Sequence, residues 1–359
     1  MATTFAVPDG RVAMAATLWT GTGAGSPQNI SNAVNTVSFQ PGLVWVKARN
    51  ATGNHAVTDS VRGAYLQLIT QLTNAEANYS PYGVTAFNSN GFSVNDDNSG
   101  NYSVNGAAGG TYSGTPPNYV GWQWKAGGTA ANNTSGTITS SVSANTTTGF
   151  SVVTYTGTGA NATVGHGLGV APSMVIVKSR SSAGTDWWVW QTALAGTDYL
   201  QLDSVAARGT AANVWNSTTP SLTVFSLGAT AGNGSNSSGQ NYVAYCWAPI
   251  AGYSAFGSYT GNGSADGPFI YTGFRPRWLM IKRTDAVQSW AVWDTARDPI
   301  NVASLQLYPN LTTADTSYLT LDMLSNGFKS RSATEYNTSA ATYIYAAFAE
   351  NPLKYANAR

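Results

Sequence analysis

One run of residues occurs three times along this chain, in the same order and at the same internal spacing. A proline opens a short apolar stretch, a lysine closes it six residues later, and a polar loop then leads into an alternating strand. The copies are Pro41-Gly42-Leu43-Val44-Trp45-Val46-Lys47, Pro172-Ser173-Met174-Val175-Ile176-Val177-Lys178 and Pro276-Arg277-Trp278-Leu279-Met280-Ile281-Lys282. The strands that follow begin at His55, Trp187 and Trp290. A second shared run, an aromatic, a threonine and paired glycines, precedes each copy at Trp19, Tyr155 and Tyr259. A third closes each copy as an alternating aromatic strand: Asn118–Trp124, Asn241–Trp247 and Thr342–Phe348. Alternation at period two is the pattern of strands, and no stretch sustains a helical period long enough to cover a parallel sheet. Tyr155 and Tyr259 lie 104 residues apart, enough for a unit with its own core.

The expected fold is therefore all-β: three tandem antiparallel β-sandwich modules with jelly-roll-like connectivity. The expected boundaries are 1–126 for the first module with its lead-in, 149–251 for the second and 252–359 for the third. Residues 127–148, almost wholly Gly, Ala, Asn, Ser and Thr, read as a linker or a long surface strand pair. On that reading the first module separates from the other two, which form a rigid pair. Ala64 to Ala75 reads as a short surface helix. The paired glycines read as turns rather than a nucleotide loop, since no Gly-Lys-Ser/Thr and no helical pattern follows them.

Charge is scarce. Asp, Glu, Lys and Arg make 9% of the 359 residues and the net charge is +1, so no basic field is available for nucleic acid. A single cysteine, Cys246, excludes an intrachain disulfide framework, and two histidines leave no imidazole-rich metal site. No cofactor or metal is expected. No apolar run approaches the length of a membrane span, so no membrane insertion is expected, and the N-terminus lacks a signal-peptide pattern.

A few residues invite a role. Asp59 with Arg62, and Asp294 with Arg297, stand at equivalent places; Gln191 and Leu194 replace them in the second copy. Each pair suits either a contact to a glycan hydroxyl or an ion pair that pins a loop. A catalytic dyad would need a second carboxylate in every copy, which is lacking. Lys47, Lys178 and Lys282 suit a sandwich edge, with stem covering apolar surface and ammonium reaching water, or a ligand contact. Trp187, Trp188 and Trp190, with Trp290 and Trp293, suit either exposed stacking on a sugar or plugs between modules. His55 fills the slot of Trp187 and Trp290.

The runs Val57–Gly63, Thr154–Gly159 with Gly165–Gly169, and Gly261–Gly267 with Tyr343–Glu350 resemble a family of uncharacterised repeat domains in virion proteins of tailed bacteriophages, especially marine ones. The resemblance runs from about residue 13 to the C-terminus. It implies a non-enzymatic structural component of a virion, assembled in the host cytoplasm, most often a tail fibre or tail appendage. It brings no catalytic residues. The chain lacks the coiled coil, collagen-like tract or shaft of a long fibre, so capsid decoration or a head fibre is an alternative. A receptor-binding protein for host surface glycan is another, and a polysaccharide depolymerase a third. Expected partners are other virion proteins and further copies of the chain. The aromatic strands offer more apolar surface than three sandwiches need, which points to an oligomer, and the resemblance to symmetric phage appendages implies a homotrimer.

Overall fold

Each third of the chain builds a sheet on the same four strands. The computed structural model describes residues 6–96, 104–107, 115–229 and 234–350. In the first third these strands are β1 (Met14–Thr20), β2 (Leu43–Ala48), β3 (Ala56–Asp59) and β4 (Asn118–Trp124). In the second they are β5 (Phe150–Thr156), β6 (Met174–Ser179), β7 (Trp188–Gln191) and β8 (Asn241–Trp247). In the third they are β9 (Ser254–Thr260), β10 (Pro276–Arg283), β11 (Ala291–Asp294) and β12 (Thr342–Ala349). The closing strand always lies between the first and second, giving the orders β1-β4-β2-β3, β5-β8-β6-β7 and β9-β12-β10-β11, all antiparallel. A smaller antiparallel sheet accompanies each: Gln28–Ser31, Gly91–Asn95 and Gly83–Asn88; Ala162–Gly165 and Val224–Leu227; and four strands between Phe269 and Ser330. The fold is essentially all-β in several antiparallel sheets, and among the described residues no sheet closes on itself.

The glycine motifs are corners of this frame. Trp19, Tyr155 and Tyr259 stack on Tyr119, Tyr242 and Tyr343 of the neighbouring closing strand, with centroids 5.4, 5.1 and 5.0 Å apart. Three buried asparagines, Asn105, Asn236 and Asn337, accept the main-chain N–H of Thr22, Thr158 and Asn262 just past the first glycine. The loop N–H thereby satisfies a side-chain oxygen of a buried asparagine. These glycines turn the chain, as their sequence context requires.

Both faces of the central strands are buried, and period two decides what each face meets. Val44, Val46 and Ala48 of β2 pack on Ile30, Val84, Phe92 and Val94 of the small sheet. Leu43 and Trp45 point the other way, into a core that runs without a break through all three thirds. There Trp45, Trp124, Met174, Ile176, Trp247, Trp278, Met280 and Phe348 converge, leaving a void of only about 10 Å³. The rings meet edge to face: Trp124 and Trp278 have centroids 5.3 Å apart at 89°.

Three expectations change against this frame. The stretch 127–148 is not a free tether. Ala131–Asn133 and Ser140–Asn145 form a strand pair on the β5 edge, and Ile138 and Val142 enter the continuous core. Ser, Thr and Asn make adequate strands when the pairing is supplied by a neighbour's backbone, which composition cannot reveal. Ala64 to Ala75 is no helix: Leu66–Ile69 pairs with β3, and Gly63 and Tyr65 at positive φ bar a helical start. The sole α-helix among the described residues is one turn, Ala212–Trp215. The first third is also not a separate body, because Trp45, Trp122 and Trp124 share the core of the other two.

A shared core makes unfolding cooperative. Differential scanning calorimetry of the full chain should give one transition, and residues 1–126 expressed alone should lack near-UV signal and aggregate. Two resolved transitions, or a folded 1–126 fragment, would contradict the continuous core.

Candidate functional site

Period two also places Lys47, Lys178 and Lys282 on the inner face, two residues beyond Trp45, Ile176 and Met280. They do not reach solvent from a sheet edge, as their sequence position suggests; all three are fully buried. Each amine crosses into the neighbouring third. Lys178 Nζ donates to the carbonyl of Thr73 at 3.1 Å, Lys282 to that of Val205 at 3.1 Å and Lys47 to that of Thr312 at 3.1 Å. The second third thus grips the first, the third grips the second, and the first grips the third. The three thirds form a closed ring.

The aromatic slot repeats the pattern. Trp187 Nε1 donates to Ile69 O at 3.0 Å and Trp290 Nε1 to Gln201 O at 2.8 Å, each across a junction. His55 occupies the third place. Its Nδ1 accepts from Trp45 Nε1 at 3.0 Å, which leaves the proton on Nε2, the edge turned toward the Tyr308 main chain. Nε2 closes no hydrogen bond of ordinary geometry there. Burial holds the His55 pKa well below the usual imidazole range.

The two Asp–Arg pairs sit in two of the three junctions. Arg297 Nε donates to Asp294 Oδ2 at 2.6 Å, and Arg297 Nη1 to Asp315 at 2.7 Å, which also receives Arg49 from the first third. Trp122 of the first third donates to Asp294 at 2.9 Å. Correspondingly, Arg62 pairs with Asp59 and with Glu76; Glu76 receives Arg180 of the second third, and Tyr245 donates to Asp59 at 2.8 Å. Burial works against the Arg297 and Arg62 cations, and the facing carboxylates more than offset it, so both pKa values are raised. Burial likewise opposes the Asp294 carboxylate, but the charge and hydrogen bonds of Arg297 hold its pKa below the usual range. In the remaining junction Gln191 donates to the carbonyls of Gly257 and Tyr345, so a neutral amide replaces the charged pair.

Trp188, Trp190 and Trp293 each make their named contact within their own third. Trp188 packs edge-on against Tyr199, Trp190 Nε1 donates to Ala195 O, and Trp293 Nε1 to Thr320 Oγ1. Every one of the singled-out tryptophans, aspartates and arginines is therefore buried, and none presents a face to a ligand. Cys246 is buried too, its thiol pushed up to about 12 by burial. No group of three or more metal-ligating side chains occurs among the described residues, and no helix is long and apolar enough to cross a membrane.

An open concavity of about 710 Å³ lies elsewhere, at the seam where the first third meets the strand Ser140–Asn145. Its lining includes Gln40, Ser60, Phe87, Lys125, Thr129 and Asn145. Gly42 forms part of its floor, so close to Ala126 that a Cβ there would stand 2.2 Å from the alanine methyl. Nothing in the sequence marks this site, because its walls lie about a hundred residues apart and belong to different sheets.

The family described as Domain of unknown function (DUF7483) matches residues 13–352. No curated protein and no solved structure matches the chain.

Two measurements check the junctions. Removing one partner of a buried pair costs about 3–5 kcal/mol, so Arg297→Leu should lose that much in urea unfolding. Asp294→Gln with Arg297→Leu, the combination the second third carries, should recover most of it. The lysines give a pH signature. Burial lowers Lys47 to about 7 and Lys178 and Lys282 to about 8, from 10.5. The unfolded chain therefore binds more protons between those values, and stability rises with pH there, by up to about 1.4 kcal/mol per pH unit for each lysine. Between pH 7 and 8.5 the melting temperature should climb, because the three lysines outweigh the single Cys246 thiol, which titrates in the unfolded chain at about 8.5 and works in the opposite direction. Lys47→Met should flatten the part of the rise that begins near pH 7.

Proposed function

The chain belongs to this family of uncharacterised domains over nearly its whole length, and from that premise we propose that it is a non-enzymatic structural component of a bacteriophage virion, a tail fibre or tail appendage protein. Each third acts as a two-sheet β-sandwich repeat of that component. The closed ring carries the reading. Three repeats in one chain grip one another cyclically through buried lysines and aromatic N–H donors, which gives a rigid body held by contacts within one chain.

The chemistry of the charged residues supports a structural role over hydrolysis. The aspartates that stand out in sequence are each neutralised by an arginine and sealed from water. General acid–base work needs a carboxyl facing its substrate, and Asp59 and Asp294 face a neighbouring third instead. A charge-poor surface of hydroxyls and amides suits a protein displayed at high local concentration, where strong fields would draw nonspecific partners.

The test is composition of the particle. Virions released from cells carrying the gene, purified by density gradient and analysed by mass spectrometry, should contain the chain at a constant ratio to the major capsid protein. A chain found only in the soluble lysate would refute the assignment.

A further inference from the structure

We infer that the open seam between the first third and the strand Ser140–Asn145 is a saccharide-binding site, and that it takes a pyranose bearing one carboxylate, of the hexuronic or sialic acid kind. The lysines make the first argument. Of the five described lysines, Lys47, Lys178 and Lys282 are sealed in junctions and Lys329 pairs with Asp266. Lys125 alone among them has an Nζ with no hydrogen-bond or ion-pair partner among the described residues, and it lines the seam. No carboxylate shares that lining. A basic side chain left open in a concave site, in a chain that pairs its other described lysines, matches a ligand with a single negative charge.

The rest of the lining is that of a polyol site. The Ser60, Thr129 and Thr146 hydroxyls make no hydrogen bond among the described residues, so donors and acceptors are available for sugar hydroxyls. Asn145 is held in place, its Oδ1 accepting from the N–H groups of Thr147 and Thr148 at 3.2 and 3.1 Å. Gln40 is likewise fixed, donating to Phe87 O at 2.8 Å, which leaves its Oε1 free. Phe87 is half-buried with its inner side against the first-third core, so its ring offers a fixed apolar surface for the C–H face of a pyranose. A few convergent polar groups around an aromatic, in a volume of about 710 Å³, fit one to three sugar rings and exceed the needs of a simple ion.

The site exists once because the ring is not perfectly repeated. The positions equivalent to Lys125, each one residue after Trp124, Trp247 or Phe348, are Ala248 and Ala349. Between the second and third repeats the chain passes directly through Ala248-Pro249-Ile250-Ala251. Only between the first and second does an inserted strand pair stand off from the closing strand and form a second wall.

The full chain should be titrated with methyl β-glucuronide, a methyl sialoside and methyl β-glucoside, read by saturation-transfer NMR and calorimetry. One charge-assisted hydrogen bond predicts that at least one acidic glycoside binds about tenfold or more tighter than the glucoside. Lys125→Met should bring that acid down to the glucoside level, Lys125→Arg should keep the preference, and Phe87→Ala should weaken both sugars alike. The melting temperatures of the two Lys125 variants should match the parent, since that side chain enters no junction; Phe87→Ala, which also loses packing on the first-third core, should melt lower and is titrated well below its own transition. No binding by either acid, or a preference that survives Lys125→Met, overturns the inference. Either result leaves the particle assignment standing, because that rests on virion composition and not on ligand binding.

Discussion

The structure depends on closing a ring with buried amines. A lysine taken out of water loses several kcal/mol of hydration, and here three are taken out at once. What makes this tolerable is that each Nζ meets main-chain carbonyls: Lys178 those of Thr73 and Thr185, Lys282 those of Val205 and Gln288, Lys47 those of Ala48 and Thr312. One carbonyl of each set belongs to the neighbouring third, and each of those carbonyls also accepts a main-chain N–H, Thr73 from Thr185, Val205 from Gln288 and Thr312 from Gly53. The amine adds a second donor at that carbonyl and fixes the distance between two sheets. The direction of its pKa shift is the physical mark of that position.

Around these contacts the three junctions are variations on one design. Two carry a carboxylate bridging two arginines, Glu76 between Arg62 and Arg180, and Asp315 between Arg297 and Arg49. The third uses an amide, Gln191. That an uncharged junction occupies an equivalent place shows that the ion pairs are not required for closure as such. They fix which groups face one another once the charges are buried, since an unpaired partner would be costly. The shared requirement is apolar: Trp124, Trp247 and Phe348 fill the centre from equivalent positions on the three closing strands, and the void they leave is too small for a side chain.

Closure within one chain also redistributes the surface. The tryptophans are spent on the interior, so recognition falls to hydroxyls, amides and the few exposed rings. The seam beside Lys125 arises where the repeat is broken by an inserted strand pair. A departure from the repeat is the place to look for a specific contact in such a chain, because equivalent positions elsewhere are bound by the needs of closure.

The sequence by itself determined the threefold repeat, the strand character of each shared run, the glycine corners and the equivalence of His55 with Trp187 and Trp290. These follow from local rules: period two, β-branched and aromatic content, and turn chemistry, all carried by neighbouring residues. It also singled out Asp59, Arg62, Asp294 and Arg297 by their equivalent spacing, as glycan contacts or as ion pairs pinning a loop, and left their place at the junctions to the tertiary structure. The tertiary structure decided what the inner faces of those strands meet. Whether Lys47 ends in water or in the carbonyl of Thr312 depends on residues 265 positions apart, and no local pattern encodes it. The polar composition of 127–148 left a linker and a surface strand pair both open, and the edge that β5 offers decides for the strand pair Ala131–Asn133 and Ser140–Asn145. The saccharide seam is invisible for the same reason, since Phe87, Lys125 and Asn145 carry no shared spacing and meet only when the ring is closed.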